Sequence, residues 1–418
     1  MLIHPAQTHL VGILIFCASY LVFAFGRIPG TRIDRTAMAV IGASMMVLLG
    51  VLAPPQALDS IDSPTLVLLF GMMLLAAALE VAGFFAWLTE RVITHVDPMH
   101  LLPVILLSGG ILSALLVNDV VCVIMTPLVL DVAHRMRRHP LPYLLALATA
   151  SNIGSTATIV GNPQNILIAS VSHIGYLDFL RHLGPVAMFG LLIDWGVLQL
   201  LFRKELREQM PPHTRPAPLK QTAAESQPPV EFRRMLWPLF ICFLVLISLL
   251  LGMNPPASAA GGASLLLISR KLEPRALIDR VDLSLLVFFI GLFVVLAGGE
   301  AAGFNERLLA AAEQLNLHNT LIFTAVVTLL SNLVSNVPAV MLLKPIAVQN
   351  GDAHAAWLLL AMASTLAGNL TITGSVANII VVESAREESP IGFWQYLRVG
   401  VPVTVLTLAI GSVWLRFF

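Results

Sequence analysis

Residues Val117–Pro127 read VNDVVCVIMTP, and Ser335–Pro345 read SNVPAVMLLKP, the same pattern 218 residues later. Each copy breaks an apolar run at an asparagine, Asn118 or Asn336, and places a proline, Pro127 or Pro345, nine residues further on. Upstream, DSPTLVLLFGMMLL from Asp62 matches DLSLLVFFIGLFVV from Asp282, and Glu80, Gly83 and Phe84 match Glu300, Gly303 and Phe304, all at an offset of 220. Downstream, SNIGSTATIVGNPQN from Ser151 answers GNLTITGSVAN from Gly368, four residues shorter. Apolar halves duplicated in this way, each interrupted by Gly, Pro and Asn at corresponding positions, point to a solute site built between two repeats.

Composition sets the class. With 57% hydrophobic and 11% charged residues over 418 positions and a mean hydropathy of +0.86, the chain lies far from a soluble globule, whose charged fraction is about 25%. It reads as an all-α polytopic membrane protein. The formal net charge is zero and no basic run carries interleaved aromatics, so a nucleic-acid partner is not expected. Cys17, Cys122 and Cys242 sit in apolar segments, which is neither a disulfide framework nor a zinc spacing. The first apolar run, Leu10–Phe25, lacks a preceding basic flank and a cleavage site and is expected to be a retained span.

Apolar runs long enough to cross about 30 Å of hydrocarbon fall near residues 9–26, 36–53, 63–83, 141–170, 184–202, 235–252, 256–269, 283–300, 355–383 and 399–416. That is about ten transmembrane helices, five per half. Two further runs, 101–130 and 320–349, surround Asn118 and Asn336. If both re-enter, Arg27, Arg32, Arg35, Arg91, Arg135, Arg137, Arg138, Arg270, Lys271, Arg275, Arg280, Arg386 and Arg398 share one side with the linker 203–234. Only Arg181, Arg307 and Arg416 then fall on the other side, and Lys344 lies within a hairpin. If 101–130 crossed once, Arg135, Arg137 and Arg138 would be placed opposite the basic loops before them. The positive-inside rule therefore selects the re-entrant reading.

Each half then has an odd number of spans, which inverts the second copy. The expected organisation is a first inverted repeat over 1–202 (re-entrant hairpin 101–130, broken helix 141–170) and a second over 235–418 (re-entrant hairpin 320–349, broken helix 355–383). The Pro-rich, charged segment 203–234 reads as a flexible cytoplasmic linker, and both termini are expected in the periplasm.

Asn118 and Asp119 stand at the first hairpin tip with no basic neighbour in sequence. A carboxylate at that depth is costly to ionise and suits a group that takes up and releases a proton. Ser335 and Asn336 occupy the second tip, where Val337 replaces the carboxylate. Asn152, Ser155, Thr156, Asn162 and Asn165, with Gly154, Gly161 and Pro163 between them, interrupt the span 141–170. An unwound stretch there frees carbonyls for a cation and half-helix amides for an anion. Asn369, Thr371, Thr373, Ser375 and Asn378 offer the same from the other half. Small polar residues also glue membrane helices together, but two clusters at equivalent places of an inverted repeat favour a substrate site.

Lys344 is the one basic residue well inside an apolar segment. It is open as a charge partner of Asp119, as an attraction for an anionic solute, or as a chain that snorkels to the surface. Asp194 is a second ionisable group, without support from the repeat. Glu80 and Glu300 recur near span ends, where a structural role suffices, and Cys122 suits packing better than metalloid ligation.

The order of an ND hairpin tip, SNIGSTATIVGNPQN and then an inverted copy resembles the ion transporter superfamily over nearly the whole chain. It is most similar to the branch of arsenite permeases, sodium/proton antiporters of the NhaD type, the melanosomal P protein and plant silicon efflux transporters. The related dicarboxylate/sodium symporters carry Ser-Asn-Thr at each tip. Here the tips read Val117-Asn118-Asp119 and Ser335-Asn336-Val337, and the added Asp119 resembles the proton-coupled branch.

The resemblance implies a homodimeric secondary transporter in the cell inner membrane, with a transport part that moves against a scaffold. The expected function is proton-coupled transport, as an exporter, of a small inorganic or organic anion or neutral hydroxy-acid such as arsenite or silicic acid. Asp119 carries the proton and the asparagines form the cradle. No cofactor or metal is expected, and H+ is the coupling ion with Na+ as the alternative. A sodium/proton antiporter and a sodium-coupled, citrate-like carboxylate transporter are the competing transporter readings. An intramembrane enzyme is disfavoured, since all eleven His lie outside the span cores and neither HExxH nor GxSG occurs. Two oppositely facing hairpins suit alternating access better than a channel.

Overall fold

The computed structural model describes residues 5–26, 28, 30–208, 232–269, 271–317, 319–349 and 352–417. The central part of the expected linker, 209–231, and both extreme termini lie outside the described residues, and with them the expected sides of the termini. The first half contains α1 (Pro5–Phe25), α2 (Arg35–Leu48), α3 (Pro54–Asp59), α4 (Ser63–Val81), α5 (Phe84–His95), α6 (Leu101–Leu115), α7 (Asn118–Arg135), α8 (Pro140–Ser155), α9 (Pro163–Ser172) and α10 (Tyr176–Leu201). The second repeats the order: α11 (Phe232–Leu250), α12 (Pro255–Ile268), α13 (Pro274–Ile278), α14 (Leu283–Ala301), α15 (Phe304–Gln314), α16 (Thr320–Val334), α17 (Asn336–Gln349), α18 (Ala353–Ala367), α19 (Val376–Ser384) and α20 (Phe393–Phe417). No strand occurs among the described residues.

The duplication reaches individual caps. Asp62 (φ −73°, ψ 87°) and Asp282 (φ −74°, ψ 86°) are the N-caps of α4 and α14, and their carboxylates accept from the Thr65 and Leu285 amides. Those bonds satisfy amides that the first turn leaves without intrahelical partners. Gly83 (φ 82°) and Gly303 (φ 80°) start α5 and α15 in the left-handed conformation, which only glycine adopts without a Cβ penalty. Pro185 and Pro402 lie at matching places inside α10 and α20.

The halves are separate in sequence and interleaved in space. α2 packs along α14, and α12 along α4. Both crossings depend on a glycine: a Cβ on Gly291 would lie 2.6 Å from the Ala39 backbone, and one on Gly71 2.8 Å from the Ala259 side chain. Ala39 and Ala259, like Gly71 and Gly291, are 220 residues apart, so the two crossings are copies of one another. Such small-residue contacts let membrane helices approach closely where lipid gives no hydrophobic drive to associate.

Among the described residues, seven helices are long and apolar enough to cross a membrane by length and composition: Thr8–Phe25, Ser63–Val81, Pro98–Leu115, Tyr176–Leu201, Phe232–Leu250, Leu283–Ala301 and Phe393–Phe417. Six of them fall on expected spans. The expected spans 36–53 and 256–269 are helices of 14 residues each, about 21 Å long at 1.5 Å per residue. The expected spans 141–170 and 355–383 are broken, into α8 and α9 and into α18 and α19. Pro98–Leu115 is the first arm of the hairpin α6–α7, which turns at Leu116 and Val117 and packs with both arms against α8. The hairpin α16–α17 turns on Ser335 alone, and α16 and α17 likewise pack against α18. Ser335 has φ 75° and ψ 159°, a region that is nearly exclusive to glycine and costs other residues about 1–3 kcal/mol.

Candidate functional site

The two helix breaks are built alike and hold each other. Asn162 caps α9 by accepting from the Asn165 amide at 2.9 Å. The Asn165 side chain then donates to the carbonyls of Ser155 and Thr158 at 3.0 and 2.9 Å. In the second half Asn378 donates to the Gly368 and Thr371 carbonyls, the same bonds 213 residues on. Gly161 and Gly374 close the breaks because a Cβ would strike the backbone of Ser155 or Gly368.

At that offset Asn152 corresponds to Thr365, and the two side chains exchange partners across the repeat. Asn152 Nδ2 donates to Asn378 Oδ1 and Asn369 Oδ1, both at 2.9 Å, while Ser375 Oγ donates to Asn152 Oδ1 at 2.9 Å. Thr365 Oγ1 donates to Asn165 Oδ1 at 3.4 Å and accepts from Asn162 Nδ2 and Gln164 Nε2, both at 3.2 Å. Asn152, Asn162, Asn165, Asn369 and Asn378 have no exposed surface. Their polar groups are therefore spent on one another, which removes the penalty of unpaired groups in an apolar interior. Ser155 and Thr156 join the same knot, each hydroxyl donating to the Asn152 carbonyl.

The hairpin tips stand in front of this knot. Asn118 Nδ2 donates to Asn152 Oδ1 at 3.1 Å. Asn336, with its amide turned to satisfy both ends, donates to the Ser364 and Gly374 carbonyls at 3.0 and 3.2 Å. A cavity of about 180 Å³ unites Asn118, Asp119, Ser335 and Asn336 with Pro163 and Gln164 at the start of α9, and with Ser375 and Val376 at the start of α19. Both half-helix N-termini and both tips thus share one space, where amides and positive helix ends are available to a solute. Asp119 is partly accessible there, and the Ala377 amide in the first turn of α19 interacts with its carboxylate. The matching position, Val337, lines the same cavity without a charge.

The cavity runs out to Arg35, Thr36, Asp282 and Ser284, on the side that carries the basic loops. Asp282 and Ser284 are exposed at its mouth. The equivalent cavity at the opposite end, past Pro64, Thr65, Pro255 and Pro256, is lined by Ile159, Ile166, Ala169, Ser170 and His173 among others and includes no tip residue. Ser170 Oγ donates to Asp62 Oδ2 at 2.7 Å, tying α9 to the cap of α4. The corresponding pair in the other half is Asp282 and Glu383, two carboxylates that cannot form such a bond. Among the described residues, the tip cavity opens beside Arg35 and Asp282.

The other residues singled out in the sequence lie elsewhere. Thr371 bonds Asn332 at 3.0 Å and the exposed Thr373 at 3.3 Å, outside the tip cavity. Lys344 lines a separate cavity of about 310 Å³ with Asp59, Asp62 and Glu300, so it is not brought to Asp119. Asp194 is fully buried and accepts from Thr149 Oγ1 at 2.6 Å. The Thr149 carbonyl accepts from Asn369 Nδ2 at 3.2 Å, linking Asp194 to the knot. Sequence reasoning missed Gln164, Thr365, Asn332, Arg35 and Asp282. Thr365 was detectable from the offset of 213 between Pro140 and Ala353, the starts of α8 and α18.

The sequence matches the family described as CitMHS, citrate transporter, over residues 20–367. It is 31% identical to the silicon efflux transporter LSI3 of Oryza sativa subsp. japonica, over 96% of either chain. It is 27% identical to the putative transporter arsB of Dictyostelium discoideum, over 91% of this chain and 86% of that protein. Two solved structures share the fold. The YdaH transporter of Alcanivorax borkumensis has a TM-score of 0.56 at 15% identity over 99% and 98% of the two chains. Neisseria gonorrhoeae MtrF, described among antimetabolite efflux pumps, has 0.59 at 13% over 100% and 95%. A polar knot between two repeated helix breaks, with two asparagine tips facing one cavity, suits a carrier, and the chain belongs to the citrate transporter family, a multi-pass membrane transporter and not an enzyme.

Proposed function

We propose that the chain is a proton-coupled exporter of a small, weakly acidic hydroxy compound of the silicic or arsenous acid kind, with Asp119 carrying the proton. The observation that supports this reading is the composition of the tip cavity. Its polar lining is amide and hydroxyl groups, Asn118, Asn336, Gln164, Ser335 and Ser375, and its charged groups are Arg35, Asp119 and Asp282. A citrate-like trianion would pass the exposed Asp282 at the mouth and meet Asp119 inside, with Arg35 as the one guanidinium, and like charges repel most strongly at the less solvated Asp119. A neutral polyhydroxy acid meets no such opposition and finds donors and acceptors on every side.

Asp119, in the first turn of α7, lies in that cavity facing the start of α19, so a solute and a proton compete for one place. When Asp119 is ionised it offers acceptors to the solute hydroxyls and faces the positive end of α19. When it is protonated, the site is neutral and can cross the low-dielectric barrier at far smaller cost. The kinship to a silicon efflux transporter supports the direction and the solute class. The family's description supports a carboxylate instead.

Reconstituted vesicles decide between them. Silicic acid, arsenite, sulfate and citrate are each tested with and without a pH gradient. Gradient-driven flux of silicic acid or arsenite, without citrate flux, is the expected result; citrate accumulation with no response to the hydroxy acids overturns the reading.

A further inference from the structure

On the side opposite the basic loops, α10 and α18 bring together Asp178, His182 and His354. Each can present one ligand atom such that all three lie within 4.8 Å of one another. His354 Nε2 lies 2.8 Å from Asp178 Oδ2, and His182 Nδ1 lies 3.2 Å from Asp178 Oδ1. The two imidazoles meet edge to face with ring centres 5.3 Å apart. None of these residues touches the tip cavity, and the transport reading makes no use of them.

We propose that Asp178, His182 and His354 form a binding site for a zinc-class divalent cation that staples the first repeat to the second. Two imidazoles and one carboxylate are a donor set suited to borderline transition metals. Three protein ligands leave a fourth position for water, as in open tetrahedral sites. Metal bonds of about 2.0–2.1 Å require ligand atoms roughly 3.3 Å apart by tetrahedral geometry, so the present spacing needs only rotamer adjustment. The side chains are 44% (Asp178), 20% (His182) and 47% (His354) exposed, which leaves them free to move and open to an ion from water.

Outer contacts orient His182 for this role. Its Nδ1 lies 2.9 Å from the Asp178 carbonyl and 3.2 Å from Asp178 Oδ1; in the tautomer that donates to the carbonyl, Nε2 is the metal-binding nitrogen and a change of side-chain torsion brings it to the carboxylate. A ring nitrogen that donates to a carbonyl while the other binds metal is the usual arrangement for metal-bound histidine. Trp414 Nε1 in turn donates to the His182 carbonyl at 2.9 Å. One effect opposes a cation, since Asp178 and His354 lie in the first turns of their helices. That repulsion is confined to the first turn and is screened where the side chains are exposed.

The test uses full-length, tag-free protein in detergent, titrated with Zn2+ by calorimetry and with Co2+ by visible absorption. Expected are saturable binding of one ion per chain and the intense Co2+ bands of low-symmetry coordination. His182→Gln and His354→Gln should each weaken binding at least tenfold, and Asp178→Asn likewise. His134→Gln, which alters a histidine paired with Glu388 elsewhere, should leave it unchanged. Gel filtration confirms that each variant is folded, and an additional Asp178→Glu variant keeps the donor set if Asp178→Asn fails to fold. Absence of saturable binding to the unmodified protein, or binding that survives the His182→Gln/His354→Gln double change, overturns the proposal.

Discussion

Replacing Asn152 with alanine removes the centre of the polar knot. Asn152 has no exposed surface. Its truncation leaves Asn369 Oδ1 and Asn378 Oδ1 without the partner they have at 2.9 Å, while Ser375 Oγ, which also loses it, lines the cavity and can turn to water. The Asn118 amide, which also loses Asn152, borders the cavity and can rebond to water. An orphaned buried group costs about 1–3 kcal/mol in soluble proteins, whereas polar pairs between membrane helices average about 0.6 kcal/mol. Two orphans therefore cost roughly 1–6 kcal/mol, with about 3 kcal/mol as the working value. At about 2.1 cal/mol/K per residue, unfolding the whole chain as one unit converts that to a fall in Tm of about 3 °C. Thermal unfolding in detergent reads the shift. Asn152→Asp sharpens the test: it keeps the shape but points an oxygen at two carbonyl oxygens, and should be no more stable than Asn152→Ala. Unchanged melting of Asn152→Ala, or wild-type stability of Asn152→Asp, refutes the assigned network.

Two further perturbations address strain and access. Ser335→Gly relieves a backbone near φ 75°, ψ 159° and should stabilise by about 1 kcal/mol; Ser335→Ala keeps the strain and should not, and equal melting temperatures for the two variants would contradict the strained tip. Ser170→Ala removes the bond to Asp62 that ties α9 to α4, a charge-assisted contact worth about 1.5–3 kcal/mol. It should shift the population away from the present open side by ten- to a hundredfold. The readout is labelling of a Ser335→Cys tip by impermeant thiol reagents applied to either face, in a background without Cys17, Cys122 and Cys242, and unaltered sidedness would count against the latch.

Much of the site was legible because its signals are local. Asn118 and Asn336 break apolar runs, and the dense run of Asn, Gly, Pro and hydroxyl residues from Asn152 to Asn165 disfavours an unbroken membrane helix, so hairpins and breaks follow from the chain itself. The interleaving of α2 with α14 was not legible: Gly71 and Gly291 carry its signal, and a lone glycine in an apolar run has many uses. The pairing of the two breaks was misplaced by matching Asn to Asn. Backbone roles, not residue names, are what the repeat preserves. Ser155 and Gly368 supply the same carbonyl, and Asn152 and Thr365 the same crossing contact, with different side chains. Position along a span also could not show that Lys344 faces Asp62 and Glu300 across a different cavity, because that depends on how α17 is turned against α14. The contrast between Asp119 and Val337 survives in three dimensions: both border one cavity, and only one can hold a proton.

The most direct test of that asymmetry compares the unmodified protein with Asp119→Asn in vesicles loaded with silicic acid. Two quantities are read from the same preparation, solute exchange at equal pH and net flux under a pH gradient. With one proton per solute, the unmodified protein should reach about tenfold accumulation per unit of pH gradient, since one pH unit is about 1.4 kcal/mol. Asp119→Asn should keep exchange and lose the response to the gradient, whereas undiminished gradient-driven accumulation in that variant would contradict Asp119 as the proton carrier.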